Sequence, residues 1–193
     1  MAVSKTADQG SSPCVPAMSL VDFLIKEGWL KTDRIIKAFE KVKREDFLPA
    51  RIGYSKGVAD GPENIKGLAE LNEALPIGSG QTISQPLTVA FMLELLQPKE
   101  REKILDVGSG SGWTTTLLAE IVGDKGKIIA LEVVLELKDF GEKNASKYNF
   151  VKKGIVKFIL ADGSKGYENE APYDKILASA SGIDLPESWK KQL

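Results

Sequence analysis

The sequence contains no histidine. That removes histidine-centred triads, the commonest general base and most zinc sites. Cysteine occurs once, at Cys14, so a disulfide framework is excluded and the usage fits a reducing compartment. Net charge is nearly missing as well: Lys plus Arg is 26 and Asp plus Glu is 27, a balance of -1. Such a chain has no general attraction to nucleic acid or to an acidic membrane. No apolar run approaches the ~20 residues of a membrane-spanning helix. The opening MAVSKTADQGSSPCVPAMS has no long apolar centre and does not read as a secretion signal. A cytoplasmic protein is expected.

The 193 residues, 42% of them hydrophobic, suffice for one domain with a substantial core. Residues 1–18, rich in Ser, Pro, Gly and Ala, read as a flexible tail. Residues 19–193 read as a single domain, with a helical preface and loop over 19–75 and a core over 76–193. In the preface, Ser19 and Asp22 make a capping-box-like start, Leu20, Phe23 and Leu24 form an apolar stripe, and Gly28 is a stop. A second helix starts at Thr32, with Ile35, Ile36, Phe39 and Val42 at helical spacing. LPARIGYSKGVADGPENIKG, 48–67, reads as loop, as does the polar PIGSGQTISQP, 76–86.

From Leu87 the pattern is a helix to about Leu96, ended by Gln97-Pro98. Strands over 103–107, 127–131, 155–161 and 173–179 then alternate with helices over 113–122 and 136–149, and PESWKKQL starts another helix. This alternation predicts an α/β fold with a doubly wound, mostly parallel, Rossmann-like sheet.

DVGSGSGW places Gly108, Gly110 and Gly112 between a strand and a helix. Glycines there let backbone approach a ligand, and the helix start offers free N–H groups. A dinucleotide fingerprint would need glycine at 113, where Trp113 stands, and Asp106 would repel a pyrophosphate. No Gly-Lys-Ser/Thr follows, so a Walker loop is also out. A ligand with a cation and no phosphate fits better, and S-adenosylmethionine is one. Asp106 could hold its ammonium directly or through water. Glu132, ending the second strand, could accept both ribose hydroxyls, and Asp162, ending the third, could accept from the adenine amino group. Any one acid at a strand end can be merely solvated. Three such acids beside a glycine turn, at the strand ends where ligands lie, form a constellation.

The segments LPIGSGQTISQP, ILDVGSGSG, ADGSKGY and APYDKILASAS resemble the protein-L-isoaspartate O-methyltransferase family. That family typically shows IG-GQTIS-P, VG-GSG, GDG and APYD-I---A. The stretch LIKEGWLKTDRIIKAFEKVKREDFLP looks like the family's N-terminal region, so the resemblance covers roughly residues 19–193. It implies a protein carboxyl O-methyltransferase. The enzyme would transfer a methyl group from S-adenosylmethionine to the α-carboxylate of isoaspartyl residues in damaged proteins, yielding S-adenosylhomocysteine and no metal chemistry. The family's active-site serine falls on Ser84. Its cofactor contacts fall on Gln81, Thr82, Ile83 and Ser84, on Asp106, on Gly108, Ser109, Gly110 and Gly112, on Glu132 with Val133, and on Asp162 with Gly163.

A substrate carboxylate is already ionised at neutral pH, so the missing histidine is no obstacle to this chemistry. The polar loop is then expected to hold that carboxylate over the methyl. Ser84 also stands where it could cap the helix beginning at Gln85-Pro86. The family's further C-terminal strands are absent here, so the last strand is expected to be an open apolar edge, a place for self-association. Isoaspartyl proteins or peptides are the expected partners, with no nucleic acid and no membrane. Two other readings stay open: the same cofactor with a different carboxylate acceptor, and an interaction module that keeps the fold without activity.

Overall fold

The computed structural model describes residues 18–54, 57–182 and 184–193. The expected tail lies, but for Met18, outside the described residues, and Cys14 with it.

Helix α1 spans Leu20–Lys26 and starts as the sequence suggests. The Asp22 amide donates to Ser19 Oγ at 3.1 Å, and the serine hydroxyl donates to the Asp22 carboxylate at 2.7 Å. Helix α2, Asp33–Lys41, buries Ile35, Ala38 and Phe39. Thr32 stands at its cap position without a capping side-chain bond. Glu94, from a later helix, accepts instead from the amides of Lys31 and Thr32 and from the Thr32 hydroxyl. A short 3₁₀ turn follows over Arg44–Phe47.

The segment 48–67 is not a loop. Strands β1, Arg51–Tyr54, and β2, Gly57–Asp60, form an antiparallel hairpin, and helix α3 spans Pro62–Ala69. The Gly and Pro residues that suggested loop are boundaries between short elements. Gly61, at φ +78°, turns the chain, and Pro62 opens α3 at the first helical position, where proline is favoured. Ile65, Leu68 and Ala69 then face the core.

The polar stretch 76–86 is likewise more ordered than a loop. Strand β3, Leu75–Gly78, pairs antiparallel with β4, Gln81–Ile83, and Leu75 lies opposite Ile83. Ser79 and Gly80 form a two-residue turn with φ of +50° and +72°. Positive φ at both positions is the turn geometry that matches the twist of a hairpin. Buried Leu75, Ile77 and Ile83 nail its inner face down. The run of polar residues had hidden that alternation. Helix α4 follows, Pro86–Leu96.

The core is a parallel sheet of β5, Lys103–Val107; β6, Lys127–Glu132; β7, Val156–Leu160; and β8, Lys175–Ala178, in the order β7-β6-β5-β8. Between them run α5, Trp113–Val122, and α6, Leu135–Ser146, and α7, Glu187–Gln192, ends the chain. Alternation along each strand feeds two cores. Ile104, Ile128, Ala130 and Phe158 join the large cluster with the helices of the preface, α4, α5 and α6. Leu105, Val107, Ile129 and Leu131 pack on the other face with Tyr173 and Trp189. The chain leaves β5 on one side and returns to its other side as β8. The strand order therefore reverses beside β5, and ligands of such sheets bind at the carboxyl end of that switch point. Among the described residues β8 has no partner on its outer side.

Candidate functional site

A cavity of about 540 Å³ opens at the switch point. Its lining comes from the ends of all four parallel strands and from β4. Of the residues expected from the sequence, it brings together Gln81, Thr82, Ile83, Ser84, Gly108, Ser109, Gly110, Glu132, Val133, Asp162 and Gly163. Asp106 and Gly112 are not in the lining. The sequence reading missed Ser111, Trp113, Thr114 and the small residues Ser179, Ala180 and Ser181 after β8. These serines lie in the APYDKILASAS segment, but no site role was read from them, and the parallel pairing of β8 with β5 brings them here.

The glycine turn is held by its own amides. Those of Gly108 and Ser109 both donate to the Leu131 carbonyl, at 2.9 and 3.0 Å, and that of Gly110 donates to Glu132 Oε2 at 2.9 Å. Gly112, at φ +82°, is a contact point between helices. A Cβ there would lie 2.7 Å from the Gly141 carbonyl of α6, so this glycine serves packing. Buried Asn144 of α6 donates to the Ser111 carbonyl at 3.1 Å and fixes the far side of the turn.

Glu132 is 7% exposed. Besides the Gly110 amide, its Oε1 accepts from the amides of Val133 and Val134, at 2.9 and 3.0 Å. The carboxylate thus fixes the turn, and Oε2, with one amide, keeps acceptor capacity for a ligand hydroxyl. Asp162 is exposed at the other end of the cavity. Its Oδ1 accepts from the Ser164 hydroxyl and amide, at 2.7 and 3.0 Å, and these bonds hold its carboxyl below the usual range.

Asp106 lies fully buried on β5, one layer beneath the cavity. Thr115 donates to its Oδ2 at 2.5 Å, and its Oδ1 has no partner among the described residues. Burial pushes its carboxyl up to about 6. The Thr115 bond opposes the shift, and the neighbouring Glu132 charge adds to it.

Ser84 is half-buried at the end of β4. It does not cap α4. The Leu87 amide donates to Asn72 Oδ1 at 2.9 Å, and Gln85 Nε2 donates to the Asn72 carbonyl at 2.9 Å. The cap position itself belongs to Gln85, without a capping side-chain bond. The Ser84 hydroxyl is left to the cavity.

Among the described residues, the lining contains two acids and no Lys or Arg, with a third acid beneath it. A phosphate is unwelcome there, whereas an ammonium or sulfonium is favoured. Small hydroxyls and amides fill the rest, which suits hydrogen bonding to a nucleoside and a carboxylate. A parallel α/β sheet with this cation-accepting, phosphate-free crevice defines the Rossmann-like methyltransferase class. The family description "Protein-L-isoaspartate(D-aspartate) O-methyltransferase (PCMT)" matches residues 17–193, and the chain belongs to that family.

Its relatives agree. It is 40% identical to the protein-L-isoaspartate O-methyltransferase of Methanopyrus kandleri, covering 90% of this chain and 70% of that one. It is 37% identical to that of Aeropyrum pernix, covering 91% and 62%. A crystal structure from Plasmodium falciparum, described as a protein-L-isoaspartate O-methyltransferase in complex with S-adenosyl-L-homocysteine, superposes with a TM-score of 0.75 at 25% identity, over 90% of this chain and 78% of that one. A further structure named protein-L-isoaspartate O-methyltransferase gives a TM-score of 0.73 at 24% identity, covering 90% and 50%, and supports the fold. The chain thus spans 62–70% of the length of these two curated relatives.

Proposed function

We propose that this chain binds S-adenosylmethionine at the carboxyl ends of β5, β6 and β7 and transfers its methyl group to the α-carboxylate of isoaspartyl residues in proteins. The observation that carries this reading is the meeting of the Gln81–Ser84 segment with the glycine turn, Glu132 and Asp162 around one cavity with no basic side chain among its described lining. When bound, S-adenosylmethionine supplies an electrophilic methyl carbon on a sulfonium. The chain's own residues bind and align. Glu132 Oε2 accepts from a ribose hydroxyl, and Asp162 stands at the adenine end. Asp106 acts through its field, since the turn separates it from the cavity, and its charge favours a cation above it.

Ser84 and Thr82 orient the acceptor. Neutral donors align a carboxylate without an ion pair that would quench its nucleophilicity. No base is required, because the acceptor is ionised at neutral pH. The family, the fold and the fit of the cavity support the whole.

The test is methyl transfer to an isoaspartyl peptide and to its normal-aspartyl twin. Selective methylation of the isoaspartyl form is expected, and equal rates on the two would overturn the reading. Calorimetric titration with S-adenosylhomocysteine checks the cofactor half separately, with one-to-one binding expected.

A further inference from the structure

Arg44 is 5% exposed, and its bonds are unusual. No carboxylate forms an ion pair with it among the described residues; it donates to four backbone carbonyls. Nη1 donates to the Ala69 and Leu71 carbonyls, at 3.3 and 3.0 Å, and Nη2 donates to those of Glu73 and Ser84, at 2.7 and 3.3 Å. Its Cζ lies over the ring of Trp113, 5.4 Å from the centroid. Nε has no partner. Burial pushes the guanidinium down to about 10, and the Glu70 charge counters this, so the group is a cation at neutral pH.

Burying a cation without a paired carboxylate is costly, and an apolar side chain of similar volume would fill the space more cheaply. The guanidinium does something an apolar group cannot. Its rigid fork fixes several oxygens relative to one another while its charge sits over an aromatic ring. Here the oxygens belong to the end of α3, to the turn that carries Asn72, and to Ser84. The ring belongs to the first residue of α5, directly after the glycine turn, and it lines the cavity. One side chain therefore touches both Ser84 and the first residue after the cofactor turn.

We propose that Arg44 is a positioning residue for methyl transfer: it holds Ser84 in register with the glycine turn through the Ser84 carbonyl and the Trp113 ring. The proposal rests on the reading of Ser84 as the group that aligns the acceptor. Lysine would keep the charge and could lie over Trp113. Its three donors on a single nitrogen cannot span four carbonyls.

The experiment compares full-length wild type and Arg44→Lys in two assays. The first needs no activity: hydrogen exchange of backbone amides. Faster exchange over 81–87 in R44K is expected, with β5 and β6 as protected as in wild type. The second is steady-state methylation of an isoaspartyl peptide. A fall in kcat of about 10- to 100-fold is expected, the range in which misplacement by about an ångström acts. The S-adenosylhomocysteine dissociation constant should stay within about threefold.

Unchanged exchange over 81–87 overturns the proposal. A cofactor affinity that falls in step with kcat also overturns it, because that reports general loosening. Should wild type itself methylate nothing, the functional reading fails, while the exchange result still decides whether Arg44 holds the strand. If R44K does not fold, R44Q, whose amide keeps two donors, is read in the same assays. Failure of both variants to fold would assign Arg44 to stability alone and overturn the positioning role.

Discussion

The pH dependence of stability tests the description of Asp106. Its carboxyl is raised in the folded chain to about 6 from an ordinary 3.8, chiefly by burial. Between those values the folded protein binds a proton that the unfolded chain does not, so stability rises as pH falls through about 6. The full effect is two pK units, about 3 kcal/mol. Between about pH 7.5 and about pH 5 a little under half is realised, about 1.4 kcal/mol. For a chain of this size that raises Tm by roughly 3–6 °C.

The window is unusually clean, because the chain has no histidine to titrate there. The carboxyls of Glu94, Asp162 and Glu170 are held below their ordinary values. They cost stability only as pH falls through and below the ordinary carboxylate range. Thermal melts followed by circular dichroism across the window, on wild type and Asp106→Asn, measure the slope. Wild type should gain stability on mild acidification, and D106N should be flat. A wild-type Tm that is level or falling over this range, or a D106N slope equal to wild type, would refute the reasoning.

Glu132→Gln replaces a carboxylate that accepts three amides with a group that has one accepting oxygen. The orphaned amides should cost about 1–3 kcal/mol in urea denaturation, and calorimetry should show weaker S-adenosylhomocysteine binding. Asn72→Ala removes the cap of α4 and should cost about 1 kcal/mol in the same denaturation assay. Ser84→Ala should do the reverse: stability within about 0.5 kcal/mol of wild type, because the hydroxyl caps nothing, with a large fall in kcat for isoaspartyl peptide. Trp189→Phe deletes the bond from the indole N–H to the Gly163 carbonyl, 2.8 Å. It should loosen the adenine end of the cavity, seen as a several-fold weaker S-adenosylhomocysteine titration.

The alternating half of the chain was readable because its signals are local. KILDV ends at a glycine and WTTTLLAEIV lies between two, and the observed β5 and α5 match them residue for residue. The glycine turn, Glu132 and Asp162 follow from that alternation, since strand ends in a parallel sheet share one edge. The hairpins at 51–60 and 75–83 were obscured because Gly and Pro mark both loops and the corners of short elements. Only burial of Ile52, Leu75 and Ile83 decides between them. The depth of Asp106 was invisible for a similar reason. Its place in the sequence puts it at the strand end, but the pleat turns it toward Thr115 and away from the cavity. Arg44 sits in the stretch that resembles the family's N-terminal region, but nothing there showed its role, because its four partners are carbonyls, which every residue has.

The borrowed helix caps bear on how the molecule comes apart. Glu94 closes the start of α2 from more than sixty positions along the chain, and Asn72 closes the start of α4 across a turn. A helix of nine or eleven residues is marginal on its own. With the Lys31 and Thr32 amides just ahead of α2, and the Leu87 amide of α4, unmet until a distant side chain arrives, each has even less reason to form early. Melting of the preface should therefore not run ahead of the sheet. Amides in α2 and α4 should lose protection together in hydrogen exchange, as one cooperative unit that includes the strand carrying Ser84.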